Sequence, residues 1–175
     1  VFPIVFALCI ANTGVNAELV NAGKAPTALI NLQMFRYVLL GGAGNTLGLV
    51  LLMCKSKSKH IRSIGRLSVL PSICGINEPI IFGTPIVLNI YLLIPFVLVP
   101  LIIGISSYLL MYMGILPLFS GVMVPWTTPT IISGFLIGGW RVALWQFVMI
   151  VVSFVIYLPF IKKIDTLELN KENQK

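Results

Sequence analysis

Apolar positions gather into three long runs, residues 28–54, 86–110 and 131–161, each with few or no charges. A membrane-spanning helix needs about 20 mostly apolar residues, so spanning helices are expected over 27–54, 86–113 and 131–161. Residues 1–11 read as the end of a helix or hairpin arm, and 12–26, with Glu18 and Lys24, as a polar loop on the outer side. In the first spanning run, Gly44 and Gly48 have the four-residue spacing that lets helices approach closely in lipid. The stretch 67–89 is apolar enough to enter a bilayer, yet Pro71, Gly75, Asn77, Glu78, Pro79, Gly83 and Pro85 break it. Irregular backbone at membrane depth survives only where protein or a water-filled cavity covers it, so 67–89 is expected as a re-entrant hairpin. A second broken segment is expected over 114–130, which carries Pro117, Gly121, Pro125, Trp126 and Pro129. The fold class that follows is an all-α integral membrane protein, with spanning helices and re-entrant, proline-broken hairpin segments. Because the chain opens at Val1 inside an apolar stretch, it reads as a fragment.

Composition agrees: 58% of the 175 residues are apolar and 10% charged, with a mean hydropathy of +1.01, far from a water-soluble domain. A net charge of +7 raises the question of nucleic acid, but its distribution answers otherwise. Lys55, Lys57, Lys59, Arg62 and Arg66 crowd one loop, and Lys162 and Lys163 follow the last apolar run. Basic residues beside spans mark the cytoplasmic side and meet anionic headgroups, so no nucleic-acid role is expected. Both basic sites then lie inside, with two crossings between them, and the tail 162–175 is expected to be a short, poorly ordered cytoplasmic segment.

Candidate chemistry is sparse. Cys9, Cys54 and Cys74 are widely spaced in apolar surroundings, which suggests neither a disulfide framework nor a metal cluster. No nucleophile–base pair, phosphate-cradling glycine loop or cofactor motif occurs, and no catalytic residue is assigned. Glu18 and Glu78 are the only acidic residues before position 165, and Glu78 alone sits in an apolar, membrane-depth segment. A carboxylate there costs about 2.5–3.5 kcal/mol on insertion scales and usually serves a function. Pro79 places Glu78 at the start of a half-helix, as a ligand-binding carboxylate or a helix cap. Trp126, between Pro125 and Thr127, is either an interfacial anchor or a ring that stacks on the C–H face of a sugar. Trp140 and Trp145, flanking Arg141, look like membrane-edge anchors, and His60 lies in the basic loop.

The run Gly75-Ile-Asn-Glu-Pro-Ile-Ile-Phe-Gly83 resembles the signature of the membrane component, enzyme IIC, of phosphotransferase permeases in the lactose, cellobiose and diacetylchitobiose family. The resemblance continues in order through Ala11-Asn-Thr13, Gly41-Gly42, Thr46-Leu-Gly-Leu49, Ser56-Lys-Ser-Lys59, Pro85-Ile-Val-Leu-Asn89, Ile94-Pro-Phe96, Pro125-Trp-Thr-Thr-Pro129 and Tyr157-Leu-Pro-Phe160. It implies that Glu78, with Asn77 beside it, hydrogen-bonds sugar hydroxyls and that Trp126 lies against the sugar. It further implies group translocation: a β-linked disaccharide or oligosaccharide is carried across the bacterial inner membrane and presented to a phosphocysteine on the soluble enzyme IIB. None of the three cysteines here would be that phosphocarrier. A sugar-binding histidine and the helices of the family's homodimer interface belong to segments absent from this sequence, and Ala43 and Asn45 depart from the family's glycine-rich pattern. Two readings compete: an ion-coupled secondary transporter, whose broken helices also place substrate near the midplane, and a non-transporting membrane scaffold in which Glu78 merely caps a helix.

Overall fold

The computed structural model describes residues 2–84 and 86–173, with the side chains of Phe2, Val87 and Asn173 left aside. Val1, Pro85 and the last two tail residues, all part of the expectations above, lie outside the described residues. Among the described residues seven α-helices follow in order: α1 (Phe2–Asn21), α2 (Phe35–Val38), α3 (Leu47–Met53), α4 (Lys59–Ile73), α5 (Glu78–Gly83), α6 (Ile90–Tyr112) and α7 (Thr130–Asn173). Two 3₁₀ turns, Leu32–Met34 and Ile86–Leu88, precede α2 and α6. The described residues contain no strand. Among the described residues three helical segments are long and apolar enough to cross a membrane: Pro3–Asn21, Ile90–Tyr112 and Thr130–Glu172.

The spanning helix expected over 27–54 is not one helix. Gly41, Gly42, Gly44 and Asn45 have φ of +75°, +92°, +79° and +53°, and four left-handed residues within five positions stop a right-handed helix. The run is apolar because protein covers it: Tyr37, Leu40, Leu49, Val50 and Met53 are all buried. Hydropathy reports burial, and burial does not require a helix. Gly44 therefore does not pack helix on helix; it lets the turn lie against α6, since a Cβ there would collide with Phe96 Cδ2. Gly48 does pack helix on helix, since a Cβ there would lie 2.5 Å from the Phe154 amide nitrogen on α7. On the other side of α3, a Cβ at Gly65 of α4 would meet the Cys54 nitrogen at 2.8 Å. Two glycines thus draw α4, α3 and α7 together, which matters in lipid, where apolar burial between helices gives little drive and close packing gives more.

Two further segments are more helical than their polarity suggests. The stretch 12–26, read as a loop, is helical through Asn21; Thr13 and Asn16 point into the protein, while Glu18, Asn21 and Lys24 are exposed. Asn16 is fully buried; its Oδ1 accepts from the amides of Thr27 (3.1 Å) and Ala28 (2.9 Å), and its Nδ2 donates to the carbonyls of Ala28 and Phe119. The tail is likewise helical to Asn173, because two of its carboxylates find donors in the basic loop. Asp165 accepts from the Ser56 hydroxyl and from the amides of Lys57 and Ser58, both at 2.9 Å. Glu172 accepts from the Ser58 hydroxyl at 2.6 Å and the His60 amide at 3.1 Å.

Helix α6 contains Pro95 and Pro100, and α7 kinks at Gly138 (φ −145°) and Gly139 (φ +76°) into arms of residues 130–137 and 140–173. Large apolar residues such as Leu101, Ile105, Leu144, Phe147 and Val155 are exposed along these helices, as befits surfaces turned to lipid or to further protein. Tyr157 and Ser153 of α7 donate to the carbonyls of Gly44 and Asn45, both at 2.7 Å. These bonds dock the glycine turn on α7 and set one wall of the cleft described next.

Candidate functional site

Three irregular stretches converge on one cleft: the glycine turn 39–46, the tip of the α4–α5 hairpin, and the non-helical segment 114–129. The hairpin tip is fixed by local rules. Helix α4 ends when Gly75 adopts φ +81°, the amide of Ile76 donates to the Pro71 carbonyl, and the Gly75 amide donates to that of Ser72, both at 3.0 Å. This is the left-handed glycine cap that satisfies the last carbonyls of a helix. Asn77 then turns the chain, and Glu78 and Pro79 begin α5, proline being preorganised for a helix's first turn.

Asn77 is buried, and its Nδ2 donates to the Ala43 carbonyl at 2.6 Å. That bond joins the hairpin tip to the glycine turn. The fit requires glycine at position 42, since a Cβ there would sit 2.5 Å from Asn77 Cγ. Asn77 thus lines the cleft with its amide nitrogen already engaged. Glu78 differs: it is exposed, and among the described residues its carboxylate receives no hydrogen bond and no ion pair. A cap would hydrogen-bond to backbone amides at the helix start, and this carboxylate does not.

The cleft has a volume of about 250 Å³ and is lined by Glu78, Asn77 and Gly75 from the hairpin, Gly42 and Ala43 from the turn, Trp126 and Thr128 from the broken segment, Thr130 and Ser133 from α7, and Arg36 from α2. All three residues expected from the sequence come together here. Trp126 is 48% exposed, which leaves ring surface open to the cleft.

Arg36 was not foreseen as a site residue. Its Nη2 donates to the carbonyls of Val124 (2.6 Å) and Pro125, its Nη1 donates to that of Trp126 (3.2 Å), and its guanidinium carbon lies 5.1 Å from the Trp126 ring centroid. One signal was available, a lone charge inside the apolar run 28–54. Arg36 and Glu78 line the same cleft without forming an ion pair within 4.0 Å. An unpaired carboxylate offers its full acceptor capacity to a ligand.

A larger cleft, about 480 Å³, opens near the basic loop between His60, Asn89, Tyr91, Glu168 and Lys171. It contains none of the expected site residues, and its Lys171 is paired with Glu168 at 2.6 Å. Size alone does not make it the site; the smaller cleft combines the free carboxylate with the exposed ring. Among the described residues no cluster of His, Cys, Asp and Glu has the makings of a metal site.

Comparison with known proteins places this geometry. Residues 1–100 match the family described as "Phosphotransferase system, EIIC". The chain is 43% identical over 156 residues to the lichenan permease IIC component of Bacillus subtilis (strain 168), covering 87% of this chain and 34% of that protein. It is 41% identical over 178 residues to the lactose-specific EIICB component of Staphylococcus aureus (strain N315), covering 97% of this chain and 30% of that one. Among solved structures it resembles the transporter ChbC, the IIC component of the N,N'-diacetylchitobiose-specific phosphotransferase system. That likeness has a TM-score of 0.89 and 40% identity, over 93% of this chain and 39% of the other. The chain spans about a third of the length of the curated relatives it matches. With more than half its residues inside the family match and its fold shared with a solved member, this chain belongs to the phosphotransferase-system EIIC family.

Proposed function

We propose that this chain forms the sugar-binding cleft of a phosphotransferase permease that takes up a β-linked disaccharide or oligosaccharide across the bacterial inner membrane. The observation that carries the reading is the unpaired Glu78 carboxylate in one cleft with the exposed Trp126 ring. Pyranose hydroxyls donate to a carboxylate in charge-assisted bonds, roughly twice as strong as neutral ones, while the sugar's C–H face packs on an indole. The names of the relatives, permeases for lichenan, lactose and diacetylchitobiose, support β-linked sugars as the class.

The partner is a phosphorylated enzyme IIB, a reading supported by the EIICB name of one relative. In the transfer a sugar hydroxyl oxygen attacks phosphorus, the S–P bond of the phosphocysteine breaks, an O–P bond forms, and the hydroxyl proton leaves. Such transfers depend chiefly on positioning, so the work of Glu78 and Trp126 is to hold the hydroxyl in line. The loop 55–66 faces the cytoplasm, where IIB resides, and the intact permease is a homodimer.

In vesicles carrying the intact permease, phosphoenolpyruvate and the soluble phosphocarriers on the inner side are expected to yield internal sugar phosphate without any ion gradient. Accumulation of unmodified sugar that tracks a proton or sodium gradient would instead establish the ion-coupled transporter.

A further inference from the structure

We infer that Arg36 is the positioning residue of this cleft: its guanidinium sets the place of the Trp126 ring and does not itself hold the sugar. The inference rests on the reading of Trp126 as a sugar contact. Between Gly121 and Trp126 the backbone is irregular, and side chains from the α2 region supply much of its hydrogen bonding. Gln33 accepts from the Gly121 amide at 3.2 Å and donates to the Val122 carbonyl. Arg36, three positions on and so on the same side of a helical turn, takes the next carbonyls, those of Val124, Pro125 and Trp126.

Only arginine suits this task. Its rigid planar fork presents several donors at once and stacks on aromatic faces, whereas a lysine nitrogen is a single point that cannot span three successive carbonyls and the ring. Three carbonyl contacts occupy most of the four N–H groups on the terminal nitrogens, which leaves little for a sugar. The backbone of Arg36 is held as well: Gln146, fully buried on α7, donates to the Arg36 carbonyl at 3.2 Å. Among the described residues the guanidinium makes the one cation–π contact to the ring, and the same side chain holds the carbonyls of Val124, Pro125 and Trp126, the backbone that carries the ring.

The test uses the intact permease labelled with 5-fluorotryptophan, with the Trp126 ¹⁹F resonance assigned by Trp126→Phe. Arg36→Lys keeps charge and approximate size, and Arg36→Gln is carried alongside so that a folded variant is in hand. In sugar-free protein the Trp126 resonance is expected to shift or broaden while the other tryptophan signals stay put. Sugar affinity is expected to fall on the order of tenfold, the worth of one aromatic contact. Adding Arg36→Lys to Trp126→Ala should cost no further affinity, because both act through the same ring. An unmoved Trp126 resonance would overturn the inference, and so would a loss in the double variant equal to the sum of the two single losses, which would make Arg36 a direct ligand. If Trp126→Ala leaves affinity unchanged, the sugar reading of the ring fails, while the sugar-free spectra still decide whether Arg36 positions it.

Discussion

Replacing Glu78 by glutamine is expected to weaken sugar binding by about 1.5–3 kcal/mol, the range for hydrogen bonds to a charged group, or roughly 10- to 150-fold in Kd. Glutamine keeps the shape of the side chain and removes its charge, so the hydroxyls lose a charge-assisted acceptor. The fold should tolerate the change. The carboxylate is exposed and bonded to nothing among the described residues, and an amide in its place leaves no orphaned partner. Thermal stability is therefore expected to stay within about 0.5 kcal/mol of the parent, as for surface substitutions away from structural features. A cap residue would behave in the opposite sense, lowering stability by about 1 kcal/mol and sparing affinity. Calorimetric titration and thermal unfolding on the same purified variant separate the two.

The second large effect is expected on stability. Gly42→Ala introduces a Cβ at 2.5 Å from Asn77 Cγ and 2.7 Å from Oδ1, on a residue with φ +92°. Left-handed backbone costs an alanine about 1–2 kcal/mol, and overpacking of this kind adds about 1–3 kcal/mol, so a loss of about 2–5 kcal/mol is expected in thermal or denaturant unfolding. Sugar affinity should fall too, since Asn77 cannot move without shifting Glu78, its neighbour in sequence. The double variant Gly42→Ala/Asn77→Ala is diagnostic. It removes the clashes with Cγ and Oδ1, though not the one with Cβ at 2.8 Å, along with the bond to Ala43, so its stability loss should be smaller than the sum of the two single losses. Strict additivity would mean that the glycine turn and the hairpin tip do not meet as described.

How much of this was legible beforehand depends on what each sequence signal measures. Prolines marked breaks at Pro79, which starts α5, and at Pro117, Pro125 and Pro129 in the non-helical segment, but Pro71, read as a break, lies inside α4, as Pro95 and Pro100 lie inside α6. Hydropathy reports burial. It therefore misread 27–54, where a glycine turn separates the short helices α2 and α3, and overlooked the helical character of 12–21, whose Asn16 binds buried backbone. The tail was misjudged for a related reason: nothing local marks Asp165 and Glu172 as partners of a loop more than 100 residues earlier. Of the residues that line the cleft, Glu78 was singled out beforehand as a carboxylate in an apolar segment, ligand or cap, and Trp126 as a ring beside Pro125, sugar contact or interfacial anchor. Arg36 was passed over because its partners are backbone carbonyls 88–90 residues away, which leave no imprint on side-chain pattern.

The central claim is that the sugar lies between Glu78 and Trp126, and photocrosslinking tests it most directly. A β-linked disaccharide bearing a small diazirine, irradiated with the intact permease and mapped by peptide mass spectrometry, is expected to label residues 75–79 and 124–128, with free disaccharide suppressing both adducts. Labelling confined to the larger cleft, at His60, Tyr91 or Lys171, and equally suppressed by free sugar, would contradict the account and move the binding site to the basic end of the fold.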